Sequence, residues 1–411
     1  MLPVKEYLAF ALSHPRFLGF GFLLAFTSSA GQTYFIGIFG PEVREAFELS
    51  HTEWGFIYMV GTLCSAALLP WSGHLIDRFD LKIYTAAVVV GLVIACVVMS
   101  LTPGPLFLIL SIFMLRQFGQ GLSSHTAITS MARYMRENRG KAIAISSMGY
   151  SFGEATLPFV AVIVIAMIGW RSTYLLVAGC VLGLLPVILV MLRGHEERHQ
   201  AHIEALALEA ENDQQGTASK TRREMLSEGR FYLLLPALLA PSYVATGLFF
   251  HHLTLADSKL WSGAWVTGNY WVYALCSISA SLISGPLIDR FTAARVVRFY
   301  LVPMILALLL LVPAKHSAWV VPYMALIGIN TGIYFTTFSS IWAELYGTRF
   351  IGSIKSLIGA LGVLASALGP VSIGWLLDAG FSFEQICVLF ACFCAVATVL
   401  LILGLRRYRT N

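Results

Sequence analysis

GHLIDRF at residues 73–79 comes back as GPLIDRF at 285–291. Gly, Leu, Ile, Asp, Arg and Phe recur in register, 212 residues apart, in a chain with few charges to spend. The same offset aligns more than the heptapeptide. Tyr58, Leu63, Cys64 and Ser65 meet Tyr270, Leu275, Cys276 and Ser277. Further on, Tyr134 meets Tyr346, Gly140 meets Gly352 and Pro158 meets Pro370. A repeat of this length marks two halves built as structural copies, and it settles the architecture before any site is considered.

What the halves are made of follows from composition. Of 411 residues, 57% are hydrophobic and only 12% charged, with a mean hydropathy of +0.76. A soluble domain carries about 25% charged residues. Apolar windows of about twenty residues, enough to cross roughly 30 Å of hydrocarbon as helix, recur along the chain. They fall at 17–40, 54–73, 82–101, 105–128, 141–167, 172–193, 231–252, 263–285, 296–313, 317–341, 352–377 and 384–405. Continuous runs exclude a β-barrel, whose strands alternate, so the expectation is an all-α polytopic membrane protein with 12 transmembrane helices in two six-helix halves. The first window is expected to be a span, because it is too long for a cleaved signal.

With the N-terminus inside, 22 of the 27 basic residues fall on one side. Arg44, Arg171, Lys259 and Lys315 fall outside, and Arg116 lies within span 4. This asymmetry predicts cytoplasmic termini. The inside set includes Arg133, Arg136, Arg139 and Lys141, and the tail Arg406, Arg407 and Arg409. The net charge of +5 is then a matter of topology and gives no reason to expect a nucleic-acid partner. The seven cysteines all sit in apolar windows without a CxxC and read as small buried hydrophobes. The longest polar interval, 194–230, divides the chain into halves 1–193 and 231–411. It reads as a charged helical piece over Glu196–Glu211 followed by the flexible QQGTASK. No GxxxxGK[ST] occurs, so no ATP-driven pump is expected.

The pattern G-x-L-x-D-R between spans 2 and 3, repeated between spans 8 and 9, resembles the signature loop of the major facilitator superfamily. The 6+6 layout and long central loop are similar too, and the resemblance covers essentially the whole chain. It departs where the signature has Gly three residues after the Asp: here stands Asp80, and in the second copy Thr292. The short loops and the junction AELYGTRFIGSIKSL (343–357) look most like the monocarboxylate and oxalate–formate carriers. The resemblance implies alternating access by parallel repeats about an axis along the membrane normal. It also implies a gating role for Gly73, Asp77 and Arg78, and for Gly285, Asp289 and Arg290. Physically, each Asp can accept hydrogen bonds from a nearby helix N-terminus, and each Arg can pair with a carboxylate or lipid phosphate. Ordinary loop charge is the plainer alternative.

Ionisable groups deep in a span are costly and so are functional candidates. Two qualify, Arg116 and Glu154. Arg116 lies about 16 Å from the outer end of span 4 at roughly 1.5 Å per residue. Its context RQFGQG resembles the superfamily's span-4 Arg-and-Gly motif, with Gly at the third and fifth following positions instead of the fourth. Glu154 lies in GYSFGEATLP of span 5 at a similar depth, and the two could pair. A merely structural pair that neutralises two buried charges is the alternative. Softer candidates are Gln32 and Tyr34 in span 1, Gln120 in span 4, Tyr243 in span 7, Tyr270 in span 8, and Asn330 and Tyr334 in span 10. Each is equally an interhelical hydrogen-bonding residue. His125 reads as core. Adjacent His251 and His252 point to different faces, so no metal site is expected.

Together these readings predict a secondary active carrier of a small organic anion. Arg116 would hold the carboxylate bidentately and Glu154 would be the proton-coupling acid. Against the anion stands span 8, which lacks the basic residue that monocarboxylate carriers place there; Lys355 is shallow. The stretch after Gly153 also lacks the Gly-Pro pair of drug–proton antiporters. Export of a neutral or cationic compound, a transporter-like sensor and a lipid scramblase are the alternatives. No catalytic constellation converges at one depth, so no enzyme and no cofactor is expected. The expected partners are cargo, H+ and the bilayer, for a monomer in a cell membrane of bacterial inner-membrane type.

Overall fold

A long apolar run in a medium without hydrogen-bond partners must satisfy its own backbone, and helices do so. In the computed structural model the described residues are 4–135, 138–196, 221–347 and 351–406, and they contain helices and no strand. Most of the central interval (197–220) lies outside them. So do Arg136, residues 348–350 of the 343–357 junction, and the tail residues Arg407 and Arg409.

Nine helices among the described residues are long and apolar enough to cross a membrane. The twelve expected spans are accounted for as follows. Span 1 is a bent pair, Pro15–Gly31 and Thr33–Ala46, at 45°. Spans 2, 3 and 4 are His51–Asp77, Leu81–Leu101 and Pro105–Tyr134. Spans 5 and 6 run together as Arg139–Met191, broken where Gly169 adopts φ 77° and ψ 162°. Only glycine takes that conformation without strain, so the turn between the two spans needs it. Spans 7 and 8 are Gly229–Phe250 and Gly263–Phe291; spans 10 and 12 are Ser317–Tyr346 and Phe383–Arg406. Span 9 keeps a short regular core, Val302–Leu311, and span 11 is Ile351–Asp378.

Span ends are fixed by local chemistry. Asp80 is the N-cap of span 3: its Oδ1 accepts from the backbone N–H groups of Lys82 (2.8 Å) and Ile83 (3.4 Å). Thr221 and Glu224 close a capping box before span 7. Cations cover two C-termini, where orphan carbonyls and the negative dipole end invite them. Arg171 Nη1 donates to the carbonyls of Ser100 (2.6 Å) and Thr102 (2.9 Å) after span 3. Lys259 Nζ donates to Leu311 O (2.9 Å) at the end of span 9 and pairs with Glu384 at 2.5 Å.

The chain divides into two compact units: unit 1 falls within Met1–Phe39 and Val60–Gln214, unit 2 within Gly40–Met59 and Gln215–Asn411. Residues 40–59, which belong to the first half by sequence, thus pack within unit 2. Inside the units the pairings repeat. Span 1 packs on span 5 and span 3 on span 6, as span 7 packs on span 11 and span 9 on span 12. Small residues mark the closest approaches. Gly149 of span 5 lies against the Phe22 carbonyl of span 1, and Gly369 of span 11 against the Tyr243 carbonyl of span 7. Large apolar side chains such as Leu106, Met167 and Phe299 stay exposed, as a lipid-facing surface requires.

Proline also redirects a hydrogen bond inside a span. Pro241 within span 7 has no N–H to give the Ala237 carbonyl one turn back. That buried carbonyl accepts instead from the Tyr300 hydroxyl of the segment leading into span 9. Asn330 Nδ2 in turn donates to Tyr300 O at 2.6 Å, so spans 7, 9 and 10 share one polar knot.

Candidate functional site

The helix of span 1 fails in its middle. After Thr27 the chain tightens into a 3-10 turn over Ser28–Gly31, and Gln32 is extended (φ −85°, ψ 151°) before helix resumes at Thr33. Facing this break, span 4 loosens into a π-helix over Arg116–Ser123. Two glycines let the irregular segments meet. A Cβ on Gly31 would strike the Leu115 carbonyl and Gly119 Cα, and one on Gly119 would strike the Gly31 backbone. Both irregularities fall at the same place inside unit 1, the kind of interrupted helix at which carriers build cargo sites.

Arg116 sits at this crossing, 3% exposed. Its Nη1 donates to Gly31 O and to Thr33 Oγ1, each at 3.3 Å, so the cation meets a carbonyl at the break and the first hydroxyl beyond it. Gln32 Nε2 reaches Ser28 Oγ and Ser124 Oγ, both at 3.4 Å. Gln120 Oε1 is buried without a hydrogen-bond partner among the described residues. Gln117, beside Arg116, links spans 2 and 4 by accepting from Ser65 (3.0 Å) and donating to Ser72 (2.7 Å).

Glu154 is 5% exposed and does not pair with Arg116. The contact it makes is with Tyr150, whose hydroxyl donates to Oε1 at 3.5 Å. Tyr150 stands edge-on to Tyr34, ring centroids 5.6 Å apart, and the Tyr34 hydroxyl donates to Ser29 Oγ at 2.9 Å. Ser29 lies in the 3-10 turn whose last residue, Gly31, Arg116 holds. The cation and the acid therefore connect through the broken segment of span 1 and not through each other.

Within unit 2 the candidates take other roles. Tyr243 packs tilted against Phe390 and edge-on to Phe393, centroids 5.3 and 5.7 Å away. Ser242 and Tyr334 share a 3.3 Å hydrogen bond, and Asn330 is committed to Tyr300. Tyr270 is fully buried and bonds His252 Nδ1 at 2.7 Å; Tyr323 bonds His252 Nε2 at 2.6 Å. His251 Nε2 reaches Pro370 O at 2.9 Å. Both histidines are thus occupied by protein groups, and no metal-ligand cluster occurs among the described residues.

The repeated loops differ from one another. Asp77, in a 3-10 turn at the end of span 2, pairs with Arg133 at the end of span 4 and with His74 (3.1 Å). It caps no helix. That part belongs to Asp80, one residue before Leu81, because only a side chain next to the first turn reaches its N–H groups. In the second copy Glu344 of span 10 accepts from the Ala293 N–H at 2.7 Å, while Asp289 and Arg78 are exposed. Arg290 lies over the Phe291 ring at 5.2 Å. Gly73 is buried near His125, and a Cβ on Gly285 would meet open space.

Residue-type reasoning missed Ser29, Tyr150 and Gln117. The only sequence signal for Ser29 was the small, polar run SSAGQT (28–33) inside an apolar window. Tyr150 precedes Glu154 by one helical turn, which could have paired them.

Helical spans in two repeated sets among the described residues, with a broken span 1 set against a charged, irregular span 4, define a polytopic membrane protein. The chain belongs to the Major Facilitator Superfamily, whose profile matches residues 21–370 and, again, 263–411. It is 27% identical to monocarboxylate transporter 6 of Mus musculus over 155 residues, 36% of this chain and 31% of that protein. For the Homo sapiens protein the figure is 28% over 155 residues, covering 35% and 28%. The matched region thus spans less than a third of these relatives. Among solved structures, a bacterial homologue of the human lysosomal transporter Spinster, inward-facing and occupied, superimposes with a TM-score of 0.68 at 16% identity. That match covers 99% of this chain and 98% of the homologue. The nucleoside transporter NupG gives 0.68 at 12% identity, covering 96% and 100%. These likenesses concern the fold alone.

Proposed function

We propose that this transporter is a secondary active carrier of a small organic anion, a carboxylate, driven by protons and working by alternating access. One observation carries the reading: a guanidinium buried where spans 1 and 4 both lose regular helix. A buried cation is expensive in a membrane and persists where charge has work to do. The planar guanidinium can offer two parallel N–H bonds to a carboxylate. Gln32, Gln120 and Tyr34 surround the same crossing and supply neutral donors and acceptors. The partial identity to monocarboxylate transporters supports the cargo class.

Glu154 is the proton carrier on this reading. Since no cation among the described residues faces its carboxyl, gain or loss of a proton changes the net charge locally instead of being absorbed by an ion pair. The Tyr150, Tyr34 and Ser29 chain ties that change to the break in span 1, next to the Arg116 contacts. Asp77 and Asp289, with Gly73, Arg78, Gly285 and Arg290, act as gating residues at the repeated loops. Cytoplasmic termini follow from the distribution of Lys and Arg, and the carrier acts as a monomer in the cell membrane.

The test is uptake of labelled short-chain carboxylates into proteoliposomes, with and without an inward proton gradient. Concentration of one of them that depends on the gradient and is lost in Arg116→Gln supports the reading. Uptake of amines or nucleosides with no carboxylate response would overturn the cargo class.

A further inference from the structure

Within unit 2, span 7 packs along both span 11 and span 12, whereas spans 11 and 12 scarcely meet each other. They leave an open groove with span 7 as its floor and a cavity volume of about 660 Å³. It runs from Tyr232 to Tyr243, roughly 16 Å at about 1.5 Å per residue. Leu235 and Leu239 lie on the floor, Leu361 and Leu368 on one wall, Leu389 and Phe393 on the other. Leu364, Leu368 and Leu389 are exposed along the rims, so the groove is continuous with the lipid-facing surface.

The helices that form the groove all carry cations at one end. Gly369 of span 11 touches Tyr243 of span 7, and Ile373 touches Gly247, so the two spans run parallel and in step. Counting back from those contacts sets Lys355 level with the start of span 7 at Gly229. Gly404 lies against the Arg230 carbonyl, which brings Arg406, the last described residue of span 12, to the same end. Just before span 7 the helix Arg222–Ser227 adds Arg222 and Arg223. Tyr232, at the mouth of the groove, ties that helix down: its hydroxyl donates to the Leu226 carbonyl at 3.1 Å. Arg222, Arg223, Lys355 and Arg406 are all exposed. The acids beside them are already engaged, Glu228 by Arg230 at 2.6 Å and Glu224 by its capping box with Thr221.

We propose that this groove binds an anionic phospholipid of the adjoining leaflet, with one acyl chain along span 7 and the phosphate over Arg222 and Arg223. The two parts of the site do different things. Lipid tails are as apolar as the groove, so the chain gains packing and a fixed place but little transfer energy. Affinity and selectivity come from the headgroup charge, to which each nearby cation contributes. Unit 1 has the equivalent groove, over span 1 between spans 5 and 6, but it is smaller, about 150 Å³. It lies beside the turn at Gly169, where Arg171 already serves the Ser100 and Thr102 carbonyls. No headgroup selectivity is expected there.

Native mass spectrometry of the intact chain in detergent, titrated with phosphatidylglycerol and with phosphatidylcholine, tests the site. Phosphatidylglycerol should bind roughly thirtyfold more tightly, about fivefold for each of Arg222 and Arg223. Arg222→Gln with Arg223→Gln should erase most of that preference. Ala365→Phe, which fills the groove, should weaken binding of both lipids. Leu364→Phe, at the exposed rim, should do the same and serves if Ala365→Phe fails to fold. Val160→Phe, in the groove of unit 1, should leave the preference intact. Equal affinity for the two lipids, or a preference that survives loss of both arginines, would overturn the site. So would a preference untouched by either groove variant, which would mean cations acting at the surface alone. Glycerol 1-phosphate, a headgroup without a chain, should not compete; competition by it would mean a site for soluble anions and not for lipid.

Discussion

Asp77 pairs with Arg133, the last cation of span 4, whereas Asp289, its partner in the sequence repeat, stands exposed with no ion-pair partner among the described residues. The repeat thus preserves residue identity while the contacts diverge, because the second loop recruits Glu344 to a backbone N–H instead. Asp77→Asn should therefore slow transport more than Asp289→Asn, with expression and cargo binding kept. The pair is partly exposed, at 40% and 21%, so its worth to stability is about 0–1 kcal/mol and melting should barely move. Exchanging the charges, Asp77→Arg with Arg133→Asp, should recover part of the rate. Full transport by both single Asn variants would remove the gating role.

The crossing of spans 1 and 4 gives a sharper structural test. Gly119→Ala places a Cβ on the Gly31 backbone, and overpacking of this kind costs about 1–3 kcal/mol. Thermal stability in detergent should fall and transport should fail with it, since Arg116 lies in the same π-helical segment. Gly179 is the control, a helical glycine with open space around its Cβ position. Gly179→Ala should be neutral or stabilise by about 0.5–1 kcal/mol. Equal behaviour of the two variants would show that the close approach does not matter.

The knot around Pro241 predicts a coupling. Tyr300→Phe removes the donor that serves the Ala237 carbonyl, leaving a buried acceptor unsatisfied at a cost of about 1–3 kcal/mol. Pro241→Ala supplies a backbone N–H for the same carbonyl. The Tyr300→Phe penalty should shrink in that background, a non-additivity measurable in a double-mutant cycle. Strict additivity would mean that the carbonyl finds another donor.

Much of this was legible in the chain. Twelve hydropathy windows and a 212-residue offset suffice for the fold, because the bilayer forces apolar runs into helices. Arg116 and Glu154 were legible because charge in an apolar run has few explanations. The break at Ser28–Gln32 was not, since no proline marks it and it depends on Gly119 from another span. Nor could 40–59 be assigned to unit 2, because that packing is set by Pro370, Gly374 and Asp378 more than 300 residues away. The departure of Asp80 from the family loop pattern was visible, and its cause proved to be local: it caps span 3.

Glu154→Gln should abolish gradient-driven accumulation while leaving exchange of cargo across the membrane. The amide keeps the size of the side chain and an oxygen for the Tyr150 hydroxyl, so folding should hold. Tyr150→Phe should weaken coupling without abolishing exchange, because the link to span 1 is thinned and the acid remains. A Glu154→Gln protein that still concentrates cargo with a proton gradient would return Glu154 to a structural role.

Arg116 separates the anion reading from the alternatives most cleanly. Had it merely neutralised Glu154, removing both charges would restore an active protein, since an unpaired buried charge is what costs. The structure shows no such pair, and Arg116 instead serves Gly31 O and Thr33 Oγ1. Arg116→Gln with Glu154→Gln should therefore fold yet fail to bind a carboxylate. Loss of a charged hydrogen bond costs about 1.5–3 kcal/mol, roughly ten- to a hundredfold in affinity. Arg116→Lys should also bind more weakly, because one ammonium cannot reproduce a planar two-point grip while holding the break in span 1. The measurement is the affinity of the best carboxylate for wild type, both single variants and the double variant. Unchanged affinity in the double variant would take Arg116 out of the binding site and remove the main physical reason for an anionic cargo.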